Sequence, residues 1–406
     1  MLWRLALRNI WRNRRRTLLT LSAMIISSSL LILALGIFSG MLRDMLASAT
    51  EQYFGHLLIS ASGYQDKRDL YTNFTADRQL DELLADRRIL GYSKRLRSFG
   101  LLSHDRNSTP AELLGVIPAQ EQTVTNLQQH LVAGHYLQGQ DDHGALLGEG
   151  LARRLGVVPG DQLVYVTQAA DGSIGNDLLR VEGVFATGDQ EHDNSLVLVS
   201  LPWLQQLLVL PGRLHEIAIK IAEPLQAATV ARQLKPRLPA GLEILDWGAL
   251  LPEMREVVAS FDVSRMIVVT ILYIATGLGI LNTFFMSVME RTREFGVLMA
   301  IGMRPGQVRL LVLLETLVMG GLALFCGAFF GILLSLYMQE VGIDLSGSLT
   351  PITYAGGTIL PRLHAVLEVG NVLLPSFALL LVSLLAGFLP ANRAARMQPV
   401  VAIREE

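Results

Sequence analysis

The sequence predicts an α-helical membrane protein with four transmembrane helices and a large mixed α/β domain inserted between the first and second helices. The chain has 406 residues, of which 51% are hydrophobic and only 17% are charged, whereas soluble proteins carry about 25% charged residues. Four apolar runs are each long enough to cross roughly 30 Å of bilayer hydrocarbon. Between the first two runs the sequence shows strand and helix patterns instead.

The first apolar run covers residues 17–41 and follows an arginine-rich segment. Residues 1–16 place apolar side chains and arginines at helical spacing, which predicts an amphipathic helix at the membrane surface. A cleaved signal peptide, with Ala47-Ser48-Ala49 as its small-residue site, is the alternative. The apolar core of a signal peptide is only about 7–15 residues long. The run at residues 17–41 is longer, so we expect an uncleaved anchor. The other predicted spans are residues 264–289, 310–338 and 372–390.

Arginines cluster in three segments that share one side of the membrane if there are four spans. These segments are residues 1–16, the 290–309 loop and the 391–406 tail. Because cytoplasmic loops are enriched in Arg and Lys, both termini are predicted to be cytoplasmic. Residues 42–263 then form the large outer domain, and residues 339–371 form a short outer loop.

The outer domain is predicted to combine strands with short helices. Helices are expected at residues 77–88, 148–155 and 224–234, the second closed by Gly156. Strands are expected at residues 56–62, 112–117, 162–167, 179–185, 195–199, 216–221 and 242–245.

Both flanks of this domain continue the helical pattern of the adjoining spans as apolar stalks. Two interpretations are open. These faces pack into the domain core, or they line a path for an apolar molecule leaving the membrane. The stalk residues are Met45, Leu46, Leu250, Met254, Val257, Val258 and Phe261.

The sequence carries no catalytic or metal-binding motif. It lacks the phosphate-binding G-x-x-x-x-G-K-[ST] pattern and the hydrolase and zinc motifs, and Cys326 is its one cysteine. A formal net charge of −2 gives no support for nucleic-acid binding. The polar cluster of Asp189 and His192 fits either a cation site or a solvated loop, and we favour the loop. We therefore expect no enzyme activity and no metal in this chain.

Within the spans, small residues at four-residue spacing favour close helix packing, within the chain or between two copies. Two polar side chains also interrupt the apolar runs. Glu315 is expected to form an ion pair with Arg309 or a loop arginine, since a lone carboxylate makes a poor proton relay. The other polar residue is Asn282, and the small-residue pairs are Ala275 with Gly279 and Gly327 with Gly331.

The segment Glu290–Gly302, E-R-T-R-E-F-G-V-L-M-A-I-G, is too charged to cross a bilayer and too apolar for a free loop. It resembles the coupling-helix motif of the MacB/FtsX/Lol class of ABC transporter permeases. The N-terminal L-A-L-R-N-I-W-R-N-R-R-R-T and the C-terminal P-A-N-R-A-A-R-M-Q-P also look like that class. The stretch Leu146–Leu163 is similar to the lipoprotein-releasing LolC/LolE-type permeases in particular.

The resemblance implies a bacterial inner-membrane permease that acts as a dimer, homo- or hetero-, with two copies of a separate ATPase. MgATP would bind that ATPase, whose motion enters the permease through the coupling helix and moves the stalks. Lol-type permeases hand lipoproteins to a periplasmic carrier, and those that recruit the carrier use an extended hook loop between two outer-domain strands. The corresponding stretch, Gln168–Leu178, is short here, which argues against direct carrier binding or leaves it to a partner permease.

In the coupling helix, Phe295, Leu298, Met299 and Ile301 are predicted to form the apolar side. Phe295, Leu298 and Met299 are predicted to seat in a groove of the partner. Gly296 and Gly302 would allow close approach and termination. The full predicted set is Glu290, Arg291, Glu294, Phe295, Gly296, Leu298, Met299, Ala300 and Gly302.

Two other functions of the same class are alternatives to lipoprotein extraction. One is an FtsX-like mechanotransmitter that regulates cell-wall hydrolysis, and the other is a MacB-like efflux permease. Apolar stalks and an outer domain of this size favour the Lol and MacB types.

Overall fold

In the computed structural model the chain divides into two compact units. The helical unit contains residues 1–42, 259–349 and 361–406, and the sheet unit contains residues 43–258 and 350–360. The structure describes residues 2–12, 14–139, 143–345, 352–354, 357–359 and 362–398.

Four helices in the described part of the chain are long and apolar enough to cross a membrane. The prediction of four apolar helices is therefore confirmed. A short N-terminal helix precedes them, and a short connecting helix lies between the second and third. Their bounds are Leu2–Arg12 (N-terminal helix), Arg14–Glu51, Pro252–Glu290, Thr292–Ala300 (connecting helix), Pro305–Glu340 and Val369–Ala395.

The first two long helices extend well beyond the predicted apolar spans. The first runs on to Glu51 and the second begins at Pro252, so both predicted stalks are helical continuations. Pro252 suits the first turn of a helix, where its missing N–H is not needed. Polar side chains join the long helices, as where the Ser27 and Thr276 hydroxyls lie 2.6 Å apart.

Small residues let the long helices approach closely, as predicted for Gly327 and Gly331. A Cβ atom added to Gly327 would lie 2.7 Å from the Cβ of Ser28, and one added to Gly331 would lie 2.9 Å from that of Ile32. The third long helix therefore packs on the first through this pair. Ala275 and Gly279 do not behave in this way: both are exposed, so packing between two copies is the remaining prediction for them.

Ten strands of the sheet unit form one mixed sheet, nine of them in the order β12-β1-β11-β3-β4-β9-β6-β8-β5 and the tenth being β7. Strand β7 pairs with both β3 and β8, so β3, β4, β9, β6, β8 and β7 close into a ring. The pairs β4–β9 and β6–β8 are parallel. In chain order, the described strands of both units are β1 Leu57–Ala61, β2 Phe74–Thr75, β3 Ile89–His104, β4 Asn107–Val116, β5 Leu131–Gly134, β6 Gly144–Gly148, β7 Gln162–Gln168, β8 Ile174–Phe185, β9 Leu196–Ser200, β10 Arg213–Leu214, β11 Glu216–Ile221, β12 Leu242–Asp246, β13 Ile343–Asp344, β14 Ile352–Tyr354, β15 Gly357–Ile359 and β16 Arg362–Leu363, of which β13 and β16 belong to the helical unit.

The predicted strands correspond to β1, β4, β7, β8, β9, β11 and β12. The helix predicted at residues 77–88 is shorter, because it is capped by Asp77 and ends at Leu84. Gly156 closes its helix in the left-handed conformation, with φ 71°. The short helices of this unit are Tyr64–Lys67, Arg78–Leu84, Pro118–Val124, Leu127–His130, Glu149–Leu155, Gln190–Asp193, Leu201–Leu207, Pro224–Gln226, Ala227–Leu234, Lys235–Arg237 and Trp247–Leu250.

The longest strand, β3, was not predicted, although it pairs with β4, β7 and β11. Its central positions Arg95 and Arg97 are buried, so charged residues stand where an apolar alternation is expected. An apolar cluster lies beside it, between strands β4, β6, β8 and β9 and the residues that follow the first long helix. Its members include Tyr53, Leu114, Val116, Leu146, Phe185 and Leu198.

Candidate functional site

The connecting helix turns one side into the helical unit. Phe295 has no exposed surface, and Gly296 is also buried. Leu298 and Met299 are partly buried against the same apolar cluster. The N-terminal helix and the second, third and fourth long helices supply the other members, which are Ala6, Val288, Val308, Leu311, Val312, Ala391 and Ala394.

The connecting helix and its flanking residues Arg291 and Ile301 form the connecting segment, and the other side of this segment is exposed and apolar. Val297 is 41% exposed and Ile301 is 79% exposed. The prediction that Phe295 seats in a partner is therefore wrong, because the third long helix and the N-terminal helix already cover that side. The exposed apolar side chains Val297 and Ile301 lie on the opposite side instead. The helix ends at Ala300, and Gly302 adopts φ 107°, a conformation that favours glycine.

Beneath the connecting helix, polar side chains from three segments meet in one cluster. Asn9 and Arg12 come from the N-terminal helix, Arg291 and Glu294 from the connecting segment, and Glu315 from the third long helix. Arg291 Nη1 donates to the two Glu315 oxygens at 2.9 and 3.1 Å, and its Nε donates to Glu294 at 3.1 Å. Asn9 Nδ2 donates to Glu315 at 2.8 Å, and Arg12 pairs with Glu294.

This polar cluster satisfies both of its carboxylates. Glu315 is only 6% exposed, and its pairing with Arg291 confirms the predicted ion pair with a loop arginine. Burial opposes ionisation of Glu294, but hydrogen bonds from Arg12 and Arg291 outweigh it and lower the pKa of that carboxyl. The Arg291 guanidinium also stacks 4.9 Å from the ring centre of Phe295, which links the polar cluster to the apolar one.

Two of the cavities in the described part of the helical unit bear on this site. A polar cavity of about 330 Å³ adjoins the polar cluster and includes Thr17, Ser287 and Glu290 in its lining. A larger, more open groove of about 620 Å³ runs between the first and second long helices. Its lining includes Ala23, Ser27, Ala275, Gly279, Asn282 and Met286.

The predicted stalk residues separate into buried and accessible groups. Met45, Leu46 and Met254 are almost completely buried, which supports the core-packing interpretation for these three. Leu250 is partly buried against Leu58, Val124 and Ala218 of the sheet unit. The partly exposed group is Val257, Val258 and Phe261, and the Phe261 ring packs edge-on against Phe38 with centroids 6.4 Å apart.

The Asp189 and His192 segment is not the solvated loop that we favoured. His192 Nδ1 lies 2.9 Å from Asp189 Oδ2, and its ring stacks on Tyr53 at 3.5 Å. Asp189 is 8% exposed; burial opposes its ionisation, but the hydrogen bond to His192 lowers its pKa. Within the described residues, no three His, Cys, Asp or Glu side chains are grouped to hold a metal ion.

Sequence reasoning missed Asn9 and Arg12 as members of the site. The arginine-rich helix was interpreted as a lipid-facing element, and nothing local to it specifies a partner about 280 residues away. The signal that could have found Asn9 and Arg12 is the negative charge of Glu294 and Glu315, because both carboxylates need hydrogen-bond donors or cations as partners.

Models of two protein families match this chain. The MacB-like periplasmic core domain matches residues 17–237, and the FtsX-like permease C-terminal domain matches residues 266–399. The first covers more than half of the sequence. The chain therefore belongs to the MacB/FtsX/Lol class of ABC transporter permeases.

Individual relatives of known name agree with this class. The lipoprotein-releasing system transmembrane protein LolC of Xylella fastidiosa is 26% identical over 80% of this chain and 79% of its own length. LolC of Neisseria meningitidis is 22% identical over 96% of this chain and 94% of its own length. The macrolide export ATP-binding/permease protein MacB of Wolinella succinogenes is 27% identical over 55% of this chain, but over only 32% of its own length.

Proposed function

We propose that this chain is the permease subunit of a lipoprotein-releasing ABC transporter. It couples ATP hydrolysis by a separate ATPase to extraction of lipoproteins from the inner membrane toward a periplasmic carrier. The observation that carries the proposal is the connecting helix, which is anchored inward by Phe295 and presents Val297 and Ile301 outward. An exposed apolar side on an anchored helix is suited to a groove in a partner protein.

The substrate class is supported by the two LolC relatives, whose similarity extends over most of both chains. The groove between the first and second long helices adds physical support. It is lined mainly by small and apolar side chains, which suits an acyl chain better than a polar solute. MacB-like efflux and FtsX-like regulation of a hydrolase are the alternative functions, and lipoprotein localisation distinguishes them from lipoprotein release.

The proposed topology follows from the arginine distribution. Residues 1–16, 290–309 and 391–406 face the cytoplasm, and residues 42–263 and 339–371 face the periplasm. The chain would work in the bacterial inner membrane as a homo- or heterodimer with two ATPase copies, which bind MgATP.

A periplasmic carrier is the remaining proposed partner. The turn between β7 and β8 is tight, with Gly172 at φ 85° and Asp171 accepting a hydrogen bond from the Ser173 N–H at 3.0 Å. It offers no long hook, so we propose that in a heterodimer carrier binding falls to the second permease.

The test introduces Val297→Asp and Ile301→Asp together, in cells depleted of the wild-type chain. Two charges on the outer side of the connecting helix are expected to lower co-purification of the ATPase at least tenfold, as when an interface residue worth about 2 kcal/mol is lost. Lipoproteins should then accumulate in the inner membrane. Gly306→Asp is the matched control, because it adds a charge nearby where a Cβ meets no atom within 4 Å.

Each outcome bears on a different part of the proposal. Normal ATPase binding and lipoprotein localisation in the double variant would reject the connecting helix as the coupling element. Loss of ATPase binding with normal lipoprotein localisation would reject the substrate class. In that case a defect in drug efflux or in cell separation would identify the MacB-like or FtsX-like alternative.

A further inference from the structure

The polar cluster joins three segments that are distant in sequence. Glu315 receives hydrogen bonds from both Asn9 and Arg291, and Glu294 receives them from both Arg12 and Arg291. The N-terminal helix, the connecting segment and the third long helix are therefore held together through two shared carboxylates. Glu315 contacts both other segments and Glu294 contacts the N-terminal helix, so no segment can shift relative to the other two without breaking at least one charged contact.

Holding the helices together does not by itself require these charges. The apolar cluster around Phe295 already packs the same elements, including Ala6 of the N-terminal helix and Val312 of the third long helix. Buried ion pairs contribute little net stability relative to apolar packing, and their best-established use is to select one geometry among several. We therefore assign to the almost fully buried Glu315 the role of fixing the orientation of these helices relative to one another.

We propose that Arg291 and Glu315 are positioning residues that lock the N-terminal helix to the connecting helix, so that both move as one body. A displacement of the connecting helix is then passed to the third long helix and also to the N-terminal helix. The N-terminal helix exposes Trp3 and Trp11, side chains suited to the membrane interface. This inference rests on the proposed coupling function for its role in transport, but the lock itself is a property of the structure.

The N-terminal helix is then a second element, beside the third long helix, that moves when the connecting helix is displaced. Without the lock, the apolar cluster would still hold the connecting helix, but apolar contacts are non-directional and specify its orientation less strictly than hydrogen bonds do. Directional hydrogen bonds from a planar guanidinium to two carboxylates remove that freedom, because their geometry is fixed.

The lock is tested by measuring the distance between spin labels at Arg8 and Arg293, two exposed positions on the two helices. The full-length protein, with Cys326→Ala to remove its own thiol, is placed in nanodiscs together with the partner ATPase. The unmodified cluster is expected to give a narrow distance distribution. Glu315→Gln and Arg291→Gln should broaden it, whereas Arg291→Lys, which keeps the charge, should broaden it less.

Val312→Ala is the matched control for simple loss of stability. It removes buried apolar atoms from the same region and leaves every polar contact in place, so its distribution should stay narrow. In parallel, lipoprotein released per ATP hydrolysed should fall in Glu315→Gln and stay unchanged in Val312→Ala.

A narrow distribution in Glu315→Gln and Arg291→Gln, or equal broadening in Val312→Ala, would overturn the lock. Broadening without any change in release per ATP would overturn its role in coupling. Failure of the proposed function is distinguishable, since the unmodified protein would then release no lipoprotein while the distance measurement would still report on the lock.

Discussion

Replacing Arg95 by methionine tests whether buried ion pairs hold the central strand of the sheet unit in place. Arg95 lies on β3 and has no exposed surface; its Nε and Nη2 donate to Glu121 at 3.0 and 2.6 Å. Its Nη1 lies 3.6 Å from Glu216 and donates to the carbonyl of Tyr53, just beyond the first long helix. Methionine keeps a long unbranched side chain but donates to none of these acceptors.

The size of the effect follows from which charge is left without a partner. Glu216 keeps Arg97 at 2.8 Å, whereas Glu121 is fully buried and, among the described residues, keeps only the side-chain hydrogen bond from the Thr125 hydroxyl at 3.1 Å. Breaking a buried pair in this way costs about 3–5 kcal/mol. At about 2–4 °C per kcal/mol for a unit of this size, Arg95→Met should lower the melting temperature of the sheet unit by roughly 6–20 °C.

Hydrogen exchange of the full-length protein in nanodiscs measures this locally, through amides of β3 and β4. Adding Glu121→Met to Arg95→Met should recover part of the lost stability, because it removes the unpaired charge. Arg78→Met is the surface control, since the Arg78–Glu82 pair is largely exposed and should contribute less than about 1 kcal/mol. A change within about 1 kcal/mol for Arg95→Met, or no recovery in the double variant, would refute the reasoning.

Three further predictions concern pH, helix packing and the stalks. Burial opposes ionisation of Glu216, but its arginine neighbours outweigh it and lower its pKa to about 2. The pKa of a Glu side chain in the unfolded chain is about 4.3. The ionised form of Glu216 therefore stabilises the folded sheet unit above about pH 4.3, and this stabilisation is lost as the pH falls toward 2. Acid unfolding of the sheet unit measures the loss. Gly331→Leu should destabilise the helical unit by about 1–3 kcal/mol through overpacking against the first long helix; thermal unfolding in detergent should show little change for Gly321→Leu, where a Cβ meets no atom within 4 Å. A photo-crosslinking residue at Val257 should capture lipid or lipoprotein, and one at buried Met254 should not; equal capture at both, or at neither, would contradict a stalk path.

Much of the helical unit follows from short-range patterns. Long apolar runs predict the four helices, because each run must be shielded from water along its whole length. Gly327 and Gly331 share one helix face by spacing alone, and only small residues let backbones approach there. Gly156 predicts the end of its helix because it tolerates the left-handed conformation.

The sheet unit was less predictable where buried positions carry charge. Arg95 and Arg97 appear in the sequence as surface residues, and their partners Glu121, Glu112 and Glu216 lie on other elements. A local pattern cannot report that such charges are neutralised after folding, so β3 was missed. The stalk residues Met45 and Met254 were ambiguous for a related reason, since an apolar helix face looks the same whether it meets protein or lipid.

The sequence by itself determined the membrane class, the number of apolar helices and the position of the connecting helix, because these depend on composition and periodicity within a few turns. Only the tertiary structure decided which side of that helix is free. Phe295 turns inward and Ile301 outward because the third long helix and the N-terminal helix arrive from distant parts of the chain. The pairing of Glu315 with Asn9 and Arg291 was decided in the same way, since a buried carboxylate takes whichever donors the fold brings to it.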